Sequence, residues 1–243
     1  MSVLRLEGLT KNFGGVLAVD SIDLEIERGE VVGLMGANGA GKTTLFGLIA
    51  GSLRPSAGTI RFEDRRIDRL RPDQISRLGI ARAFQIVRPF TGLTVLENVA
   101  VGALFGSGRE VSLGRAEARA RAVLDEVGLA DRAAHPAGTL TLAGRKRLEI
   151  ARAIATRPKL LLLDEVMAGL TPAEVDEALG IINALRVRHG LTVVVIEHVM
   201  RALMRLCQRL VVIHHGVKIA EGSPRVIAND AAVIEAYLGR RAR

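Results

Sequence analysis

The sequence predicts an α/β fold with a mostly parallel sheet core, an antiparallel sheet at one edge and a helical insertion. Three observations predict it. Continuous apolar runs at residues 31–35, 160–163 and 192–196 suit strands covered on both faces. Helical patterns at 42–50, 148–155 and 173–189 lie between and before those runs, and strands alternating with helices give a doubly wound sheet. Near the start, apolar and polar residues alternate instead, which marks half-exposed strands of an antiparallel sheet.

In chain order, Val3, Leu4 and Leu6 open a first alternating strand. Ile22, Leu24 and Ile26 alternate with Asp23 and Glu25 in a second, and residues 59–62 read the same way. The run 31–35 is the first buried strand, and the helix-like segment 44–50 follows it. From about 88 to 140 the pattern turns helical, clearest at 116–127, with breaks at Gly106, Gly108 and Gly114. The organisation expected is one domain over 1–243. Its α/β core with the edge sheet takes about 1–87 and 156–243, and a helical subdomain takes about 88–155. The last residues, 239–243, form a short basic tail expected to fray.

Composition narrows the functional classes. With 243 residues, 49% of them apolar, the chain has enough material to bury a core without disulfides. Its single cysteine, Cys207, excludes an intrachain disulfide and fits a cytosolic compartment. Six Phe, one Tyr and no Trp are too few rings for a protein that stacks successive bases. The formal charge of +8 fits phosphate-bearing partners, and equally a surface rich in scattered arginines. Residues 1–11 read as a strand and not as a basic leader with an apolar stretch. No apolar run approaches the roughly 18 residues of a membrane span.

Gly36-Ala37-Asn38-Gly39-Ala40-Gly41-Lys42-Thr43 matches the phosphate-loop pattern in full, between an apolar strand and a helix that opens near Thr44. Glycines let successive backbone N–H groups turn inward on a phosphate, and the helix N-terminus favours an anion there. Lys42 supplies a point charge for the β- and γ-phosphates, and the Thr43 hydroxyl is a hard ligand for Mg²⁺. Downstream, Leu160-Leu161-Leu162-Leu163-Asp164-Glu165 places two carboxylates at the carboxyl end of a buried strand, where α/β sheets bind ligands. Asp164 suits the metal, and Glu165 suits a general base for the attacking water.

With these motifs the chain resembles the ATP-binding subunits of ABC transporters over nearly its whole length. The resemblance implies that Phe13, in Lys11-Asn12-Phe13-Gly14-Gly15, stacks on adenine. It implies that Gln85 touches Mg²⁺ and the attacking water and reports to the membrane subunit, and that His198 contacts the γ-phosphate. Gly79-Ile80-Ala81-Arg82-Ala83-Phe84-Gln85-Ile86-Val87-Arg88-Pro89-Phe90, Leu93-Thr94-Val95-Leu96-Glu97-Asn98-Val99 and Arg147-Leu148-Glu149-Ile150-Ala151-Arg152-Ala153 look like the branched-chain amino-acid importer ATPases. Relatives in that subgroup carry urea, short amides or aromatic compounds, which are the alternative cargoes. A non-transport ABC ATPase acting on nucleic acid, and a regulatory cassette that binds ATP without turnover, are further alternatives. One phosphate loop with no heptad run speaks against the first, and intact Asp164, Glu165 and His198 against the second.

Two departures stand out. The usual Leu-Ser-Gly-Gly-Gln signature, which closes on the ATP of the opposite subunit, reads Leu140-Thr141-Leu142-Ala143-Gly144 here. Thr141, Ala143 and Gly144 are the residues expected to face that ATP. Thr171 stands where the family usually has Asp. Both departures concern what this subunit lends to its neighbour, so pairing with a different ATPase subunit would give one stronger and one weaker site. The resemblance further implies ATP and Mg²⁺ as ligands and a homo- or heterodimeric ATPase pair with two permease subunits. It implies an indirect link to a periplasmic binding protein, no nucleic acid, and a cytoplasmic place on the inner face of the membrane.

Overall fold

The computed structural model describes residues 2–86, 88–110 and 112–238; the basic tail at 239–243 lies outside them. The chain begins with β1 (Ser2–Phe13), β2 (Val16–Glu27), β3 (Val31–Met35), α1 (Lys42–Ile49), β4 (Ala57–Phe62) and β5 (Arg65–Arg66). There follow α2 (Pro72–Leu78), β6 (Ile80–Ala83), α3 (Val95–Phe105), α4 (Leu113–Glu126), α5 (Leu142–Ala155), β7 (Leu160–Asp164) and α6 (Pro172–His189). Then come β8 (Thr192–Ile196), α7 (Met200–Leu206), β9 (Arg209–His214), β10 (Val217–Gly222), α8 (Pro224–Ile227) and α9 (Ala231–Leu238). The chain divides into two compact units, residues 1–72 with 192–243 and residues 73–191.

In the first unit, β2, β1, β4 and β5 form an antiparallel sheet in that order. The alternation read from the sequence sets its register: Leu4 and Leu6 of β1 lie opposite Ile26 and Leu24 of β2 and opposite Phe62 and Ile60 of β4. All six are buried, so a slip of one residue would expose the whole face. Beside one another lie β10, β9, β3 and β8, with β3 parallel to both β8 and β9 and β10 antiparallel at the edge. Every residue of β3 and β8 is buried, as their unbroken apolar runs require. Gly33 lets β3 meet β9 closely, because a Cβ there would lie 2.5 Å from Leu210 Cδ2 and 2.8 Å from Cys207 Sγ.

In the second unit, β6 and β7 pair in parallel, Ile80 to Ala83 against Leu160 to Leu163. Helices α3, α4 and α5 pack on one another, and Val99, Ala103, Ala116, Ala120, Leu148 and Ala151 on them are buried. Two helices here start with a full capping box. Thr94 and Glu97 cap α3, and Thr171 and Glu174 cap α6, which also has Pro172 in its first turn and Gly190 in the left-handed region at its end.

Candidate functional site: a phosphate loop and a carboxylate strand end

The phosphate loop leaves β3 and enters α1 as the sequence predicts. Gly41 stands at the N-cap with φ 106°, and it makes no side-chain cap bond at the start of α1. Such an end suits an anion. Gly36 (φ 156°) and Gly41 are fixed by close approach as well as by conformation. A Cβ at Gly36 would lie 2.3 Å from the Ile213 carbonyl, and one at Gly41 would lie 2.3 Å from the Ala18 carbonyl. Ala37, Asn38 and Gly39 are exposed, and Ala40 is buried and accepts from the Gly216 N–H at 3.0 Å. The Lys42 ammonium is buried and curls back to donate to the carbonyls of Gly36 (2.7 Å) and Ala37 (3.0 Å). A cation held against two loop carbonyls is already at the loop's mouth. Thr43 is exposed and Thr44 half-buried at the head of α1.

Phe13, at the end of β1, is 44% exposed, and the Lys11 ammonium lies 4.8 Å from its ring centre. An exposed ring is free to stack, which a core phenylalanine is not. His198 follows β8 and is exposed; with Met35, Met200 and Met204 it lines an apolar cavity of about 430 Å³.

In the second unit, β7 carries Asp164 to its carboxyl end, buried, where it forms an ion pair with Arg82 of β6. Its Oδ1 is buried with no hydrogen-bond partner. An orphaned carboxylate oxygen of this kind is costly in a folded protein unless a ligand meets it, and a hard cation such as Mg²⁺ is the ligand it suits. Among the described residues no group of three or more His, Cys, Asp or Glu could hold a metal by itself. A site with one carboxylate agrees with an ion that keeps phosphate and water as its remaining ligands.

Glu165 adopts φ 49°, a conformation that costs a non-glycine residue energy and is found where surroundings enforce it. The enforcement is visible. The Gln85 side-chain amide donates to the Glu165 carboxylate, and the Lys146 ammonium donates to the Glu165 carbonyl at 3.1 Å. Gln85 and Glu165, expected to act together, are therefore brought into contact. Thr141 is the N-cap of α5, its hydroxyl accepting from the Gly144 N–H at 3.2 Å, and Ala143 and Gly144 are buried in the first turn. Thr171 uses its hydroxyl to cap α6, a role the family's usual Asp fills equally well.

The sequence reading passed over Arg82, Lys146, Glu149 and Asn98. Asn98, fully buried, bonds both backbone groups of Phe90, its Oδ1 accepting from the N–H at 2.9 Å and its Nδ2 donating to the carbonyl at 3.0 Å. Burial pushes the Glu149 carboxyl up from its ordinary range, against the pull of Arg152, the Phe84 N–H and Lys146. The signal that could have found Lys146 and Glu149 was their recurrence at i and i+3 on a helix whose other buried positions are apolar.

A phosphate loop on a β3–α1 turn and an Asp-Glu pair at a parallel strand's end define a nucleotide triphosphatase. The ABC transporter family model matches residues 19–168, and a model described as branched-chain amino acid ATP-binding cassette transporter matches 217–243. The chain belongs to the ABC transporter ATP-binding family, and with it is a nucleotide-binding ATPase subunit of a transporter. It is 41% identical to the high-affinity branched-chain amino acid transport ATP-binding protein BraF of Pseudomonas aeruginosa, over 98% of each chain. It is 40% identical to LivG of Escherichia coli, a protein of the same description, again over 98% of each. Among solved structures it resembles the ADP conformation of MJ1267, an ATP-binding cassette of an ABC transporter, with TM-score 0.88 and 30% identity over 99% of this chain and all of that one. It also resembles the dimeric bacterial cassette MJ0796, with TM-score 0.83 and 26% identity over 91% and 99%. Among the described residues no helix is long and apolar enough to cross a membrane.

Proposed function

We propose that this chain is the ATP-hydrolysing subunit of a bacterial importer for branched-chain amino acids. The observation that carries the hydrolytic reading is Glu165, held at the end of β7 in an enforced backbone conformation with its carboxylate on the Gln85 amide. The cargo rests on the relatives named for branched-chain amino acid transport.

Phe13 stacks on adenine, and the loop Gly36, Ala37, Asn38, Gly39, Ala40, Gly41, Lys42, Thr43 and Thr44 holds the phosphates. His198 contacts the γ-phosphate. Thr43, Asp164 and Gln85 would hold Mg²⁺, which would neutralise charge on the phosphates when bound. Glu165 takes a proton from the attacking water, whose oxygen bonds to the γ-phosphorus as the bond to the β–γ bridging oxygen breaks, leaving ADP and phosphate. Thr141, Ala143 and Gly144 face the ATP of a second ATPase subunit. The chain acts as one cassette, with about 88–155 as its helical part and about 1–87 and 156–243 as its core.

The exposed Phe84, Ile86 and Phe90 flank Gln85 and offer an apolar face to the membrane subunits. The assembly proposed has two permease subunits at the inner face of the membrane and a periplasmic binding protein acting through them. Transport is tested in proteoliposomes holding the whole assembly and ATP. Uptake of labelled leucine, isoleucine and valine is expected, with urea, short amides and aromatic acids left outside. Uptake of one of those instead would move the cargo and leave the ATPase assignment standing.

A further inference from the structure

One face of α5 fastens the Gln85 segment along its length. Lys146 donates to the Gln85 carbonyl at 2.8 Å, and Arg152 donates to the Arg88 carbonyl at 3.2 Å while its guanidinium lies 4.9 Å from the Phe90 ring centre. Lys146 also reaches the second loop, at the Glu165 carbonyl. It is 5% exposed, and a buried ammonium is retained only where acceptors fix it in place. The same helix begins at Thr141, five residues earlier, so Lys146 lies on the rigid body that presents the altered signature.

We infer that Lys146 is a positioning residue for hydrolysis: it locks the backbones of Gln85 and Glu165 to α5, so that a displacement of the signature end of this helix reaches both. This rests on Glu165 being the base. Because the lock acts on carbonyl groups, it leaves the phosphate loop untouched and should alter turnover without altering nucleotide affinity. A guanidinium can serve the same two carbonyls; an apolar chain of similar length cannot.

The test compares wild type, Lys146→Met, Lys146→Arg and Glu165→Gln in the assembled transporter, reading kcat and KM for ATP, melting temperature, and hydrogen exchange at residues 84–90 and 165–169. For Lys146→Met a fall in kcat of roughly 10–100-fold is expected, with KM within about twofold and faster exchange in both segments. Lys146→Arg should return kcat to within about threefold of wild type. Lys146→Gln, which keeps a neutral donor group on a shorter side chain, stands in if the Met variant does not fold, and should fall between the two. Wild-type kcat in Lys146→Met or Lys146→Gln overturns the inference, as does an Arg variant as slow as the Met variant. If Glu165→Gln still turns over, the base assignment fails, and exchange at 84–90 alone then decides whether Lys146 holds Gln85.

Discussion

At the scale of single residues, Gly36 and Gly41 of the phosphate loop leave no room for a side chain. Gly41 combines φ 106° with an Ala18 carbonyl 2.3 Å from where a Cβ would be. Gly41→Ala should therefore lower unfolding free energy by about 2–3 kcal/mol, read from denaturant melts. Lys42→Ala removes the loop's buried cation and should weaken ATP binding by about 100-fold or more. Retained affinity would place the phosphates elsewhere. Cys207 is a contrasting residue. It is 7% exposed, and burial pushes its thiol up to about 12, so at pH 8 it should react with a disulfide reagent at well under a hundredth of the rate of a free thiol. These residues differ in legibility. The loop glycines could be read because their spacing is the signal. Lys146 could not, because what matters is which two carbonyls a buried ammonium meets, and both belong to distant segments of the sequence.

Among the elements, the strands with unbroken apolar runs were plain in the sequence, and β3 and β8 match their expected bounds. The edge sheet was plain through alternation. Strands β9 and β10 were not, because the apolar run of β9 is only four residues long, between Arg209 and His214, and β10 is mixed in character. Arg209 explains itself in three dimensions. It makes a two-pronged ion pair with Glu30, both arms at 2.7 Å, and also reaches Glu221 and the Glu25 carbonyl. Burial alone would raise the Glu30 and Glu221 carboxyls. Arg209, with the Glu27 N–H at Glu30 and Lys218 at Glu221, outweighs it, and both are held below the ordinary carboxylate range. Groups so lowered stabilise the fold above their unfolded values, and that contribution is lost as pH falls through the folded ones. Arg209→Met should cost about 2 kcal/mol near neutral pH and flatten the acid limb of the stability curve. An unchanged acid limb would remove the linkage. At the start of α6, Thr171→Ala should cost about 1 kcal/mol while Thr171→Asp stays within about 0.5 kcal/mol, because either Thr or Asp caps the helix. The departure from the family's Asp is thus explained locally by the cap, whatever it does between subunits.

For the molecule as a whole, the fold class and the family were readable from the phosphate loop, the Asp-Glu strand end and the family motifs around them. The helical region 95–155 was readable as helix and not as mechanism. Its work lies in the charged face of α5, and a charged face on a helix ordinarily signals only solvent. The net charge of +8 was the least informative feature. Several arginines pair with acids within the fold, as Arg147 does with Glu177 and Arg157 with Glu110, and their use is scattered along the chain. Duplex DNA binding with a steep salt dependence would contradict that view.

Glu165 should drive ATP hydrolysis in this chain despite its altered signature. Steady-state hydrolysis of Mg²⁺-ATP, for wild type and Glu165→Gln, measured beside ATP binding with the subunit in its membrane assembly, tests it most directly. Turnover in the wild type that falls by about 1000-fold or more in Glu165→Gln, with ATP still bound by both, is the predicted result. Bound ATP with no turnover in the wild-type assembly would contradict it, and would make the chain a nucleotide-binding regulatory cassette.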